Sequence, residues 1–580
     1  MNLRRLQLCF FCVFFLFFVA AVNGFALERE AFTFTNYDLT VHVEPDQQRI
    51  GVRGKIILRN DSQMPQKIAV LQISSSLNWR SITANGKPLQ FVLQPYTSDI
   101  DHTGKLSEAI VTLPEAVPPR GSVELEIGYE GVIMLDATRL TQLGTPEATA
   151  RSTDWDQIST AFTAVRGVGY VAWYPIATEA AELSEGANLF EVVGGWKARQ
   201  APSKMHLKID ALREDGERPP EVVVNEASCQ VMDEAMDRAQ FFSADCAHQP
   251  LGFVVPTFAM ANYEHIDRPA IEVLYLKGHD RSATNYADTA EKIVPFIAEW
   301  FGPAHSRART ADLADADAAP FESGPLLLTP LTGVDPGLAG LAAAYQLTHA
   351  AFSSPRPWIN EGLAHFAQAL YVEHQSGRQA ALDYMGLHRA AFAAAEKRTA
   401  LATEDHASQS LANTSDEELY RSKAMYVWWM LRDMVGERAL KKAIASYRPE
   451  QDKEPSYLQK LIQAQTQKNL EWFFDDWVYR DRGLPDFKVE SAFPRKTMTD
   501  VYLVTVTVEN LGRAGAEVPV TVKYAGGEVR KRLEVRGNGK AVIRVEITRP
   551  PEEIVVNDGS VPESDTTNNT FKIEASDLTK

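Results

Sequence analysis

The hydrophobic period of this chain changes twice, which constrains its fold more than any single motif. From residue 30 to about 200, segments such as "YDLTVHV" (37–43), "GVRGKIILRN" (51–60) and "SVELEIGYEG" (122–131) alternate apolar and polar residues. That is the period of strands with one buried face. "NGK" and "PPRG" punctuate them as turns. The pattern predicts a mostly antiparallel β region. A second strand-like stretch runs from "KMHLKIDA" through "EVVVNEAS" to about residue 262. Near residue 283, from "NYADTAEKIVPFIAEWFG" onward, apolar residues recur at spacings of three and four. Further helices are predicted over 337–353, 357–374, 378–398, 416–434, 437–446, 455–464 and 468–480, with "PRPW" breaking the first two apart. Near residue 495 alternation returns in "VYLVTVTVEN", "EVPVTVKY", "EVRKRLEV" and "KAVIRVEI", with "AGG" and "GNG" read as hairpin turns. The expected fold class is multidomain, β then α then β. A β region covers 25–265 and a mainly α region 266–490. A small sandwich of immunoglobulin type covers 495–576.

At 580 residues the chain has room for several large cores, so no disulfide framework is needed to fold it. Its net charge of −17 argues against nucleic acid or an anionic membrane surface as the main partner. The first residues combine Arg4 and Arg5, an apolar run over 8–22, and small residues at Val22 and Gly24. This is the pattern of a secretory signal peptide over 1–24. An uncleaved anchor is the alternative, but no stop-transfer pattern follows. Export to a periplasm or the extracellular space is expected, with no membrane span after signal removal. Cys9 and Cys12 lie inside the apolar run, which leaves Cys229 and Cys246. In an exported chain two such cysteines point to one disulfide, with buried free thiols as the alternative.

The chemistry should reside in "AAYQLTHAAFSSPRPWINEGLAHFAQAL", residues 343–370. Tyr345 and His349 are four apart, so they share a helix face, and Glu361 opens the next helix. Two ligands at i and i+4 plus a carboxylate from the following helix is how a His₂Glu zinc site is built. The residue after the first ligand then serves as general base toward the metal-bound water.

On these residues the chain resembles the alanyl aminopeptidase (aminopeptidase N) family of gluzincin metallopeptidases. "WINEGLAHF" is similar to that family's W-L-N-E-G-F-A motif, which puts Glu361 at the third zinc ligand and His349 at the second. "LYRSKAMYVWWMLRDMVG" resembles its Y-x-K-G-a stretch and puts Tyr420 at the tyrosine that stabilises the oxyanion. "APFESGPLLLTP" stands where the family has G-A-M-E-N, so Glu322 takes the position that holds a substrate α-amine. "LEWFFDDWVYRDRGLPDF" is similar to the family's closing segment, and "NYDLTVHVEPDQQRIGVRGKIILRN" to its opening β domain. The resemblance implies an N-terminal β saddle and a thermolysin-like, mainly α peptidase domain.

The departures are specific. Tyr345 stands at the first ligand and Gln346 at the general base. An amide accepts no proton from water at neutral pH, and a neutral phenol is a poor zinc ligand. The interval from His349 to Glu361 is also shorter than the family's by about two helical turns, which threatens the reach of the carboxylate. His365, four residues after Glu361, offers an alternative ligand set of His349, Glu361 and His365; its ordinary role would be to support the ligands or to sit at the cleft edge.

The expected function is an exported, peptidase-like protein that is catalytically impaired and keeps a cleft for a peptide or protein ligand, with zinc weakly bound or absent. One alternative is an active zinc aminopeptidase with unusual ligands. Another is a structural or interaction protein that uses its β domains. The aromatics of "MYVWWML" are expected in a helix core, and "NDGSVPESDTTNN" as a solvated loop rather than a calcium site. The G-x-G of "RGVGYVA" precedes no helix pattern and carries no nucleotide reading.

Overall fold

A computed structural model describes residues 27–574, apart from 185–186, 214–218, 237–238, 249, 305, 334, 336, 403–409, 415, 481 and 499. The proposed signal segment lies outside the described residues. Among those described, no helix is long and apolar enough to cross a membrane.

The chain is a mixture of several sheets and a helical region, in the order that the periods predict. The alternating segments at the start form an eight-stranded sheet. Its strands are antiparallel with one exception: Phe32–Glu44 pairs in parallel with Lys204–Arg213. That pairing draws the second strand-like stretch into the first sheet. The predicted turn at "NGK" is present, with Asn85 and Gly86 both at positive φ, where two-residue hairpin loops need them. Cys229 and Cys246 face each other on adjacent antiparallel strands of this sheet and form a disulfide, with Cα atoms 4.2 Å apart.

A five-stranded sheet separates the two hydrophobic cores. It has parallel strands Ile271–Tyr275, Ala308–Asp312 and Leu326–Thr329 at its centre, and antiparallel edges Glu264–Asp267 and Phe321–Ser323. Successive side chains of a strand point to opposite faces. Ile271, Val273 and Tyr275 accordingly join the helical core, while Leu274, Ala311 and Phe321 join the N-terminal one. Phe321 faces the N-terminal core, so its neighbour Glu322 points to the helical side.

The helices follow the predicted spans closely. Ala339–Ala351 is one helix. The next runs from Pro357 to Ala402 and is interrupted at Gly377, whose φ of 85° is outside the helical range. That break separates the two helices expected on either side of it. The span predicted from 416 opens as a π turn, Glu418–Lys423, and continues as the α-helix Ala424–Val435. Met425 through Leu431 are all buried, as the core reading of "MYVWWML" requires.

Three local expectations need correction. Ala187–Gln200 is a helix within the region read as strands. Gly194 and Gly195 weaken its helical signal, and Gly194 is needed because a Cβ there would meet the Pro355 carbonyl at 2.8 Å. "GNG" is not a hairpin turn. It carries the chain from Gly527–Val535, in a four-stranded sheet, to Lys540–Ile547, in a three-stranded one. The turn is tied to its neighbour instead, with the Asn538 N–H donating to the Gly512 carbonyl and the Asn510 N–H to that of Gly539. Finally, the acidic segment near the C-terminus folds back into the structure. Glu563 is buried and accepts hydrogen bonds from the Phe487 N–H and from the side-chain amides of Asn557 and Asn569.

Candidate active-site cleft

Four elements bring the predicted site residues together. The helix Ala339–Ala351 carries Tyr345, Gln346 and His349, and the helix that starts at Pro357 carries Glu361 and His365. The π turn supplies Tyr420, and the edge strand Phe321–Ser323 supplies Glu322. The short connection after His349 does not take the carboxylate out of reach: His349 Nε2 lies 3.6 Å from Glu361 Oε1. Gly362 lets the Glu361 helix pack closely on Ala424–Val435, because a Cβ there would lie 2.6 Å from the Ala424 Cβ and 3.0 Å from Trp428 Nε1. Trp358 stacks on Trp428 and fixes the same contact.

Glu361 is surrounded by protein donors. The Tyr345 hydroxyl donates to its Oε2 at 2.5 Å, and Arg421 Nε approaches the same oxygen at 3.4 Å. Arg421 also pairs with Glu417, one turn earlier. The π turn holds one more residue per turn than an α turn. Two residues therefore stand between Tyr420 and Lys423 where the family pattern has one, and Arg421 is the residue beside Tyr420 that reaches Glu361.

Hydrogen bonding also settles which nitrogen of His349 carries the proton. The Ser354 backbone N–H donates to Asn360 Oδ1 at 3.1 Å, which orients the amide. Asn360 Nδ2 then donates to His349 Nδ1 at 3.0 Å. With Nδ1 an acceptor, the proton of the neutral ring lies on Nε2, the nitrogen that faces Glu361.

Electrostatics follow from burial. Burial pulls His349 below its usual value, despite the attraction of Glu361. His365 falls to about 3, through burial and then the nearby Arg421 charge. Burial pushes Glu361 up, but His349, Arg421 and the Tyr345 hydroxyl together bring it below the usual carboxylate range. Burial and then the Glu361 charge raise Glu322 to about 8 and raise Tyr345 well above an ordinary phenol. At neutral pH the cleft holds one carboxylate, neutral imidazoles and Arg421, with Lys197 from the helix Ala187–Gln200 also sensing Glu361.

These residues do not fit a zinc ion. Among the described residues, no group of three or more His, Cys, Asp or Glu side chains is placed to hold a metal. The reason is visible in the alternative set. The Tyr345 ring packs against both His349 and His365, with ring centroids 4.8 and 5.2 Å away. His349 presents an N–H rather than a lone pair toward Glu361, and Glu361 already accepts from the Tyr345 hydroxyl and faces the Arg421 charge. Both His365 ring nitrogens lack a hydrogen-bond partner, and so does His349 Nε2. Gln346 cannot act as a base. It is 1% exposed, and its Oε1 accepts a hydrogen bond from the Tyr286 hydroxyl.

Glu322 lies close enough to feel the charge of Glu361, and its Oε1 has no hydrogen-bond partner. Tyr420 is buried, packs edge-on against Phe190 and also senses Glu361. Sequence reasoning missed Arg421, Asn360, Tyr286 and Lys197. Arg421 and Asn360 lie inside the quoted motifs, where an arginine beside the tyrosine position was the available signal. Tyr286 and Lys197 carry no local signal.

No curated protein matches the chain. The model of the peptidase family M1 domain matches residues 355–477. The match includes Glu361, His365, Tyr420 and Arg421, and it begins after the helix that bears Tyr345, Gln346 and His349. Residues 355–477 are thus similar to a peptidase family M1 domain.

Proposed function

We propose that this protein is an exported, peptidase-like protein that has lost efficient peptide hydrolysis and keeps its cleft as a binding surface for a peptide or protein ligand. One observation carries the reading: the Tyr345 hydroxyl is hydrogen-bonded to Glu361, so the residue at the first ligand position is bound to the third. Gln346, held by Tyr286, supports it, because an amide that accepts from a phenol removes no proton from water. Losing one member of a cooperative catalytic unit removes most of the rate, and here two are replaced. The signal-like first residues and the Cys229–Cys246 bridge support export. The N-terminal β saddle, thermolysin-like domain and immunoglobulin-like sandwich form the architecture this reading assumes.

The test is turnover of aminoacyl amides and short peptides by the purified mature chain, with zinc content measured on the same sample. The expected result is no turnover above background and substoichiometric zinc after dialysis, together with saturable peptide binding that Glu322→Gln or Tyr420→Phe weakens. The rival reading, a zinc enzyme on His349, Glu361 and His365, is favoured by their orphaned ring nitrogens. Stoichiometric zinc that His365→Ala removes, with turnover, would establish it instead.

A further inference from the structure

We propose that Arg421 is the resident cation of this cleft: together with the Tyr345 hydroxyl it fills the surroundings of Glu361 that a metal ion would need, and it keeps the site metal-free. The inference goes beyond the reading of an impaired peptidase, on which it rests. It assigns the electrostatic role of the missing metal to a particular side chain.

A carboxylate buried without a cation is strongly destabilising. In a zinc site the metal supplies that charge. Here Glu361 Oε2 takes the Tyr345 hydroxyl at 2.5 Å and faces Arg421 Nε at 3.4 Å, while Oε1 faces the His349 N–H at 3.6 Å. Arginine stays protonated at any working pH, so this charge cannot be lost as a histidine's can. Tyr345 is the second part of the device. Its ring packs against His349 and His365, and its hydroxyl occupies the carboxylate.

Restoring the two replaced residues is therefore not enough to restore a metal site. A divalent ion entering beside Glu361 would meet a fixed guanidinium a few ångströms away, in a setting where charges interact far more strongly than in water. Tyr345→His with Gln346→Glu rebuilds the motif but leaves this cation in place.

The experiment combines a stability cycle with zinc titration. Arg421→Met should lower the melting temperature by several degrees, while Arg421→Lys should hold it near the parent. Glu361→Gln in the Arg421→Met background should recover most of the loss, because it removes the uncompensated carboxylate. Recovery also covers the case in which Arg421→Met alone fails to fold. In the zinc arm, Tyr345→His/Gln346→Glu with Arg421→Met should bind zinc roughly tenfold or more tightly than the same double variant with Arg421 intact. Equal zinc affinities would overturn the proposal. So would an Arg421→Met loss that Glu361→Gln leaves unchanged, since that is the mark of lost packing rather than lost charge. Stoichiometric zinc in the parent would instead sink the underlying reading of an impaired peptidase, whatever the cycle shows.

Discussion

The Tyr345 hydroxyl donates to a charged, half-buried carboxylate, and the bond is worth more there than at a surface. Tyr345→Phe keeps the ring against His349 and His365 and deletes only the donor. We expect it to cost about 1.5–3 kcal/mol, read by denaturant unfolding, the range for hydrogen bonds to charged groups. No change would mean that Arg421 alone satisfies Glu361. At this scale the sequence was informative where a motif fixes a spacing. Tyr345, Gln346, His349, Glu361, Tyr420 and Glu322 all stand at motif positions, and the structure gathers them around Glu361. What spacing does not carry is direction. The orientation of Arg421 depends on a π turn, and the proton on His349 Nε2 depends on an amide fixed by the Ser354 backbone. Tyr286 reaches Gln346 from 60 residues earlier in the chain, a pairing that no local pattern encodes.

Between elements, the contact that sets the site is the crossing of the Glu361 helix with Ala424–Val435. Gly362 lies at that crossing. Gly362→Ala adds a methyl into space already taken by Ala424 and the Trp428 ring. The expected cost is about 1–3 kcal/mol, as for other overpacked cores, and denaturant unfolding would measure it. A second element-scale prediction concerns the eight-stranded sheet. His206 bridges Asp38 on one neighbouring strand and Asp245 on the other, each at 2.8 Å. Burial alone lowers its pKa, but the two carboxylates outweigh burial, so the folded value is raised. The folded state therefore binds the proton more tightly than the unfolded chain. The stabilisation is fully present below the unfolded pKa, about 6.5, and is lost as pH rises through the higher folded value. The side chain is 37% exposed, so the effect is modest. The melting-temperature advantage of the parent over His206→Asn should be present at about pH 5.5 and shrink toward pH 8.5; a constant difference would contradict it. Elements with strong periodicity, such as the helices after Pro357, were legible almost to the residue. The helix Ala187–Gln200 was hidden by its glycines, and the sheet crossing at Gly537–Gly539 by turn chemistry that a hairpin shares.

Across the whole molecule, the helical region and the C-terminal sheets share one hydrophobic core, although their sequence periods differ. Trp472, Phe473, Phe474 and Trp477 belong to the same cluster as Val504, Val520 and Val545. Trp477 Nε1 donates to the Gly515 carbonyl at 2.7 Å, and the Gly515 N–H donates to Asp476 at 2.9 Å. Arg532 pairs with Asp433 at 3.1 Å across the same boundary. A boundary sealed by a buried indole is part of the fold, so the two regions should open together rather than as separate beads. Trp477→Ala removes a fully buried indole at this seam and should cost about 3–5 kcal/mol. The informative readout is native-state hydrogen exchange. Amides of Ala424–Val435 and of Ala516–Tyr524 should lose protection by similar factors. Those of Phe32–Glu44, whose core lies on the other side of the five-stranded sheet, should lose far less. If the Ala516–Tyr524 amides keep their protection while the helix loses it, the C-terminal sheets fold independently and the shared core is only a contact surface.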